Sequence, residues 1–498
     1  MSEVKVKDQR FSTSLGFLLS ALAIAIGTGN IWRFPRIVAQ NGGEFGAGAF
    51  IITWVLFLFM WSIPLIIGEY GIGINSRKGV VGAVINSAGR RFAWMGTFMT
   101  IVTAAITFFY SVVLGWCVYY FVYCIAEELP ASSESSLAIW TNYQGSIWPL
   151  LTHAVVMVLG GIAIWKGIRS IESINKVLIP VLLLIILVAL ARAVTLNGSW
   201  AGIKYLFVVE WEQFGNPDIW VAALTQNAWD TGAGWGMFIT YGAYMQTRFG
   251  IVRSALMTGI GNNLISLGAA VMVFGTVFAI LGTKLGAAQG EILEVMRNSG
   301  PASTGLTFIW MPQLFEKVFL GKTLAILFFL GLSLAGFTSL IAQLEMIVRT
   351  FVDGGMTRPI AILFIVSISY LLGIPSAINL NILSNQDFVW GLALLISGGF
   401  FAYVVIRFNP KKLRKEVINA NPNEMKINGL WDKVMSYFIP VGSITLLLWW
   451  LINDGMNNEW YDPFSQSSMM TCLMQWLIVI VLVLVLNKWV VRKTENSS

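Results

Sequence analysis

Two hydrophobic segments far apart in this chain are each broken in the middle by small and polar residues. The first break is Gly27-Thr28-Gly29-Asn30 and the second, in the sixth such segment, is Asp230-Thr231-Gly232-Ala233-Gly234. A helix crossing hydrocarbon can interrupt its backbone ladder only where the released N–H and C=O groups line a cavity or meet a ligand, because lipid offers them no partner. Breaks at matching places in two halves of a membrane chain mark a binding site near the bilayer midplane of a repeat-built secondary transporter.

Composition agrees with a membrane setting. Of 498 residues, 56% are hydrophobic and 11% charged, against roughly a quarter charged in a soluble domain. Twelve segments reach spanning length, about 17 or more mainly apolar residues each. They are roughly 13–37, 45–74, 92–126, 149–165, 171–194, 217–246, 251–283, 321–350, 359–374, 385–407, 433–452 and 469–490. With the N-terminus inside, 24 of the 32 Lys and Arg fall in the tail and the even-numbered connections, whereas loops 127–148 and 453–468 hold acids and neither Lys nor Arg. The positive-inside rule then puts both termini in the cytoplasm. That asymmetry accounts for the net charge of +7, so no nucleic-acid partner is called for. The first apolar run follows Asp8-Gln9-Arg10 and carries a break that a signal sequence lacks, so no cleavable leader is expected. Cys117, Cys124 and Cys472 lie in spanning segments and are expected as packing residues.

The expected organisation is a cytoplasmic tail (1–12), a first five-helix repeat (13–194), a second five-helix repeat (217–407), a basic cytoplasmic linker (408–432), helices eleven and twelve (433–490) and a short cytoplasmic tail (491–498). No internal sequence repeat is recognisable; the case is positional, since segments one and six each open a group of five. The outside connection 287–317 has helical patterning and length enough to cap an entrance.

Around the first break the chain reads Gly27-Thr28-Gly29-Asn30-Ile31-Trp32-Arg33-Phe34-Pro35, followed by Asn41-Gly42-Gly43; the eighth segment holds Ala335-Gly336-Phe337-Thr338-Ser339. These strings, with the sixth-segment break, resemble the neurotransmitter:sodium symporter family from about Leu15 to Trp450. The resemblance implies an all-α polytopic membrane protein with the LeuT fold, a 5+5 inverted repeat whose helices 1 and 6 are broken, and twelve transmembrane helices. Small-residue helix packing is the plainer reading of a glycine-rich break, but Asn30 and Asp230 have no use in it.

The N–H groups of Thr28 and Gly29, at the start of a half-helix, suit a carboxylate, and Tyr110 matches the family tyrosine that donates to it. Carbonyls at Ala25, Trp229, Asp230 and Gly232 would receive an ammonium. The resemblance implies a side-chain pocket of Ile106, Tyr110, Val113, Trp229, Gly232, Trp235, Ser339 and Gln343. It also implies two sodium ions. The first would take Ala25, Asn30, Asp230, Asn262 and the substrate carboxylate; the second would take Ala23, Ile26, Ala335, Thr338 and Ser339. The family's monoamine carriers have an aspartate where this chain has Gly27, so its glycine implies a substrate that brings its own carboxylate, an α-amino acid.

Asp230 departs from the serine or threonine usual in the family. A carboxylate near the bilayer centre costs about 2.5–3.5 kcal/mol and is a functional candidate by default. The residues matching the chloride site of chloride-dependent relatives are Trp54, in place of a tyrosine, Gln226, Asp230 and Ser266. Asp230 is expected to supply the negative charge itself, leaving chloride not required; its simpler role would be to bond Asn262. Arg33 and Asp387 match the outer gate, with Trp229 as lid, and Tyr244 and Asp353 match the inner gate. The family's N-terminal Arg-x-x-Trp reads Asp8-Gln9-Arg10-Phe11 here, a departure that leaves the latch partner of Asp353 open, with Arg10 and Lys7 as candidates. The lone histidine, His153, is expected to be structural.

The expected function is therefore sodium-coupled import of an α-amino acid by alternating access. Alternatives are a betaine or β-amino acid as cargo, or a sodium-linked sensor without turnover. Nucleophile-elbow and HExxH motifs are missing from the sequence, so nothing points to an enzyme.

Overall fold

The computed structural model describes residues 10–297, 305–422, 424–456 and 459–497. Among these residues the secondary structure is helical throughout. The principal helices are α1 (Ser14–Ala25), α2 (Thr28–Asn41), α3 (Gly48–Ser76), α4 (Arg90–Ala126), α5 (Ser133–Gln144), α6 (Trp148–Ile164), α7 (Ile168–Val194), α8 (Pro217–Asp230), α9 (Met237–Tyr244), α10 (Ile251–Lys284), α11 (Gly321–Asp353), α12 (Arg358–Ile378), α13 (Leu380–Phe408), α14 (Gly429–Asn453) and α15 (Met469–Asn496). Among the described residues nine helices are individually long and apolar enough to cross a membrane, or up to eleven if the bent pairs α1/α2 and α5/α6 each count as one span.

Both sequence breaks are breaks in the backbone. Helix α1 ends at Ala25, Ile26 and Gly27 are extended, and α2 restarts at Thr28 with a bend of 47°. The new N-terminus is held locally, because Asn30 Oδ1 accepts the Gly27 N–H at 2.7 Å. Between α8 and α9 the chain turns through Gly232, Gly234 and Gly236, with φ of 70°, 86° and 90°, a region that L side chains rarely enter. Glu69 of α3 closes this turn. Its carboxylate accepts the N–H groups of Gly234 (2.6 Å), Gly236 (3.4 Å) and Phe238 (3.1 Å), capping donors that a helix start otherwise leaves unpaired.

The layering sets the broken helices inside. Spanning windows of α3, α4 and α11 are each 72% buried and that of α10 is 78%, against 22% for α14 and α15, so the last two helices pack on the periphery. Helix α9 lies tight against α3, where a Cβ on Gly73 would fall 2.2 Å from the Ile239 carbonyl oxygen. Cys117, Cys124 and Cys472 are buried and free. His153 Nε2 pairs with Ser111 Oγ at 2.9 Å, joining α6 to α4.

Three connections carry ordered structure of their own. The loop 127–148 contains a helix, α5, started by Ser132, whose hydroxyl accepts the Ser135 N–H. The segment 408–432 is not a loose linker, since Leu413, Ile418 and Trp431 are buried and Trp431 Nε1 donates to the Pro64 carbonyl at 3.1 Å. The 287–317 connection holds helix Gln289–Arg297, whose terminal guanidinium donates to the carbonyls of Ala39, Gly42 and Gly43 at the end of α2; residues 298–304 of it lie outside the described residues.

Candidate functional site

The two breaks, the middles of α4 and α11 and the first turns of α13 line a cavity of about 740 Å³ counting space open to solvent. Of the substrate-contact residues expected from sequence, Ala25, Gly27, Thr28, Gly29, Tyr110, Val113, Trp229, Asp230, Gly232, Trp235, Ser339 and Gln343 line it. Ile106 does not: it is fully buried one turn away, on a face of α4 turned into the core. Phe109, Met237 and Leu383 line the cavity as well, and sequence reasoning missed them, because apolar residues in an apolar helix carry no signal of which face meets a cavity.

The N–H of Thr28 is not idle, since it donates to the Tyr110 hydroxyl at 3.2 Å. A carboxylate entering here would accept from both groups. Space explains Gly27. Its backbone is ordinarily extended, with φ −118° and ψ −175°, but a Cβ would sit 3.0 Å from the Tyr110 hydroxyl and 3.1 Å from Ser339 Oγ.

Asn30, Asp230, Asn262 and Ser266 form one buried cluster. Asn30 Nδ2 donates to Asn262 Oδ1 (2.7 Å) and Ser266 Oγ (2.8 Å), and Ser266 Oγ donates to Asp230 Oδ2 (2.8 Å). Asn262 Nδ2 reaches the same Oδ2 at only 3.4 Å, so bonding Asn262 does not use up the carboxylate. Asp230 Oδ1 is buried and makes no hydrogen bond to any of the described residues. A buried carboxylate oxygen left unpaired is costly, and a hard cation is the partner it fits. At the second proposed ion position, Ser339 Oγ faces the carbonyls of Ile26 (3.0 Å) and Ala23 (3.3 Å), and Thr338 Oγ1 donates to the Ala335 carbonyl (3.0 Å). Carbonyls from the end of α1 thus converge with α11 hydroxyls into an oxygen-rich cluster of the kind that replaces a hydration shell. Of the chloride-site equivalents, Gln226 lines the cavity, but Trp54 does not and packs on Phe34 with ring centroids 4.3 Å apart.

Paired charges and rings flank the cavity. On one side Arg33 meets Asp387 at 3.6 Å and lies 4.9 Å over the Trp229 ring, which stacks on Trp235 at 5.3 Å. On the other, Tyr244 donates to Glu345 Oε1 at 2.7 Å, and Glu345 is paired with Arg358. Arg349 ties this group to the gate carboxylate, donating to the Tyr244 hydroxyl at 3.2 Å and pairing with Asp353 at 2.8 Å. Asp353 is held by Arg349, one turn earlier on its own helix, and by the Gly79 N–H (2.6 Å), and among the described residues it makes no ion pair with Arg10. Lys7 lies outside the described residues. Phe11 is fully buried against Phe17 and Tyr241. Just beyond it the Glu172 carboxylate accepts from Ser12 N and Oγ and from Thr13 N and Oγ1.

Glu69 was missed by the sequence reading, although a single acid in an otherwise apolar span is itself the signal. Glu69→Leu leaves three buried N–H groups without acceptors, each worth about 1–3 kcal/mol. Thermal unfolding of detergent-purified protein followed by size exclusion is expected to show a loss of about 3 kcal/mol or more, with Glu69→Gln less affected.

Paired broken spans around a cavity flanked by ion pairs and aromatic rings are the arrangement of a secondary transporter of the LeuT fold. The family model of the sodium:neurotransmitter symporter family matches residues 8–144 and 136–496, and the chain belongs to that family. It is 27% identical over 463 residues to the sodium-dependent transporter YhdH of Bacillus subtilis, covering 89% of this chain and 97% of that protein. A sodium-dependent transporter of Methanocaldococcus jannaschii is 28% identical over 447 residues, covering 86% and 88%. The human sodium- and chloride-dependent taurine transporter is 26% identical over 416 residues, covering 74% and 65%. Among solved structures, MhsT in complex with L-phenylalanine superposes with a TM-score of 0.77 at 25% identity, over 88% of this chain and 99% of that one. The protein is thus a multi-pass membrane protein of a sodium-coupled symporter family.

Proposed function

We propose that this symporter imports an α-amino acid with two sodium ions by alternating access, that it does so without chloride, and that twelve spans carry it with both termini cytoplasmic. The twelve-span count takes α1/α2 and α8/α9 as broken spans and α6 as a short one. The observation that carries the reading is Asp230 Oδ1, an unpaired carboxylate oxygen at the cavity wall, opposite a half-helix start whose Thr28 N–H and Tyr110 hydroxyl suit a carboxylate. Substrate carboxylate and Asp230 would bracket the first ion, so ion and substrate bind together or poorly. The similar MhsT was crystallised with an amino acid, which supports the cargo class over a betaine or β-amino acid.

Radiolabelled uptake of each common amino acid into proteoliposomes, with and without an inward sodium gradient, tests the proposal. At least one α-amino acid is expected to accumulate only with the gradient, and betaine and β-alanine are expected to compete poorly. Substrate binding without sodium-driven flux would favour the sensor alternative.

A further inference from the structure

With Asp353 satisfied by Arg349 and the Gly79 N–H and Arg10 exposed, the start of α1 is held by two other elements. Helix α9 takes the Phe11 backbone, whose N–H donates to the Tyr244 carbonyl at 3.2 Å and whose carbonyl accepts from the Gln246 amide. Helix α7 takes the next two residues through a single carboxylate.

Glu172 is 2% exposed. Its Oε2 accepts the Ser12 N–H at 2.7 Å. Its Oε1 accepts the Ser12 hydroxyl (2.6 Å), the Thr13 hydroxyl (3.0 Å) and the Thr13 N–H (3.2 Å), and pairs with Lys176 at 2.7 Å. A carboxylate accepts at both oxygens, and hydrogen bonds to an ionised acceptor are the strong ones. Packing is equally close, because a Cβ on Gly16, in the first turn of α1, would overlap Glu172 Oε1. The other end of α1 carries Ile24 and Ala25, which line the cavity, and the Ala23 carbonyl, which with that of Ile26 faces the Ser339 hydroxyl. At 12 residues the helix is a rod about 18 Å long, clasped by Glu172 at one end and ending at the Ile26-Gly27 break at the other.

We propose that Glu172 is the inner latch of this transporter: its hold on Ser12 and Thr13 keeps α1 closed beneath the cavity, and its release accompanies opening to the cytoplasm. The proposal rests on the alternating-access reading with cytoplasmic termini. Glu172 is then a positioning residue, and sodium at the α1 carbonyls acts on the far end of the same rod. Two influences on one equilibrium are linked, so a lost latch is offset by more sodium.

Hydrogen–deuterium exchange of the full-length protein in lipid nanodiscs, read over residues 11–25 in potassium and in rising sodium, tests it. Glu172→Gln keeps the side chain's shape but turns an amide N–H toward donors in either orientation, while Asn175 still joins α7 to Ser20 of α1 at 3.2 Å. In potassium the variant's segment is expected to exchange about tenfold or more faster than that of the unmodified protein, with α14 and α15 unchanged. Saturating sodium is expected to restore slow exchange, at a half-effective concentration about tenfold or more higher than in the unmodified protein; a merely structural defect would not be reversed by sodium. Ser12→Ala removes one donor and strands no charge, so it is expected to move both readings the same way by less, and it decides the matter where Glu172→Gln does not fold. Exchange and sodium dependence equal to those of the unmodified protein overturn the latch, as does fast exchange that sodium leaves unchanged. Absence of sodium-driven uptake by the unmodified protein overturns the transport reading on which the latch rests.

Discussion

Asp230→Asn is expected to raise the sodium concentration needed for half-maximal uptake by about tenfold to a hundredfold. The substitution keeps the Ser266 contact at Oδ2 but removes the charge of the oxygen that makes no hydrogen bond in the protein. A hydrogen bond to a charged group contributes about 1.5–3 kcal/mol, against about 0.5–1.5 kcal/mol between neutral groups, and a bare cation gains more from the charge; each 1.4 kcal/mol is a factor of about ten in affinity. Two sodium ions and a zwitterion would bring two positive charges into a site of low dielectric, where an uncompensated charge is expensive. A fixed carboxylate offsets one of them on every cycle. Added chloride is expected to rescue the variant only in part, because Trp54 packs on Phe34 and does not line the cavity. Sodium titration of uptake measures the effect, and an unchanged half-saturating concentration would remove Asp230 from the ion site.

The decarboxylated amine of the best substrate is expected to compete at least about a hundredfold more weakly than the acid. It leaves the Thr28 N–H and the Tyr110 hydroxyl paired only with each other and the first ion short of a ligand, and sites built for a hydrogen-bonding group commonly reject the analogue lacking it by orders of magnitude. Gly27→Asp provides the converse. The new side chain would enter the space bounded by the Tyr110 hydroxyl and Ser339 Oγ, 3.0 and 3.1 Å from its Cβ, and put a second carboxylate where the substrate's belongs. Amino-acid uptake should fall below detection, and equal inhibition of the unmodified protein by amine and acid would show the proposed orientation to be wrong.

Much of this architecture can be read in the chain because lipid removes the ambiguity that water allows. A polar pair such as Asn30 or Asp230 inside an apolar run has to be paired or functional, and the backbone does break where those residues stand. Helix ends are less legible. The third, seventh and tenth spans run to 90–126, 251–284 and 380–408, a few residues beyond their apolar limits, because helices continue into polar flanks without penalty. Which face of α4 meets the cavity was harder still, as Ile106 and Phe109 differ only in angle around an apolar helix. Arg349 and Asp353 stand four apart on one helix, a spacing that brings them together, whereas Lys7, one of the two tail candidates for Asp353, lies outside the described residues. Trp431 and Ile418, apolar residues in a basic connection, were the unheeded signs that 408–432 packs onto the bundle.

The most direct measurement is accumulation of the preferred amino acid in proteoliposomes loaded with potassium gluconate and diluted into sodium gluconate, sodium chloride, choline chloride or potassium gluconate. Accumulation above equilibrium in both sodium media and in neither of the others is the predicted result, with sodium required and chloride dispensable. Equal accumulation in choline chloride would contradict sodium coupling, and uptake that appears only when sodium and chloride are supplied together would contradict the fixed charge assigned to Asp230.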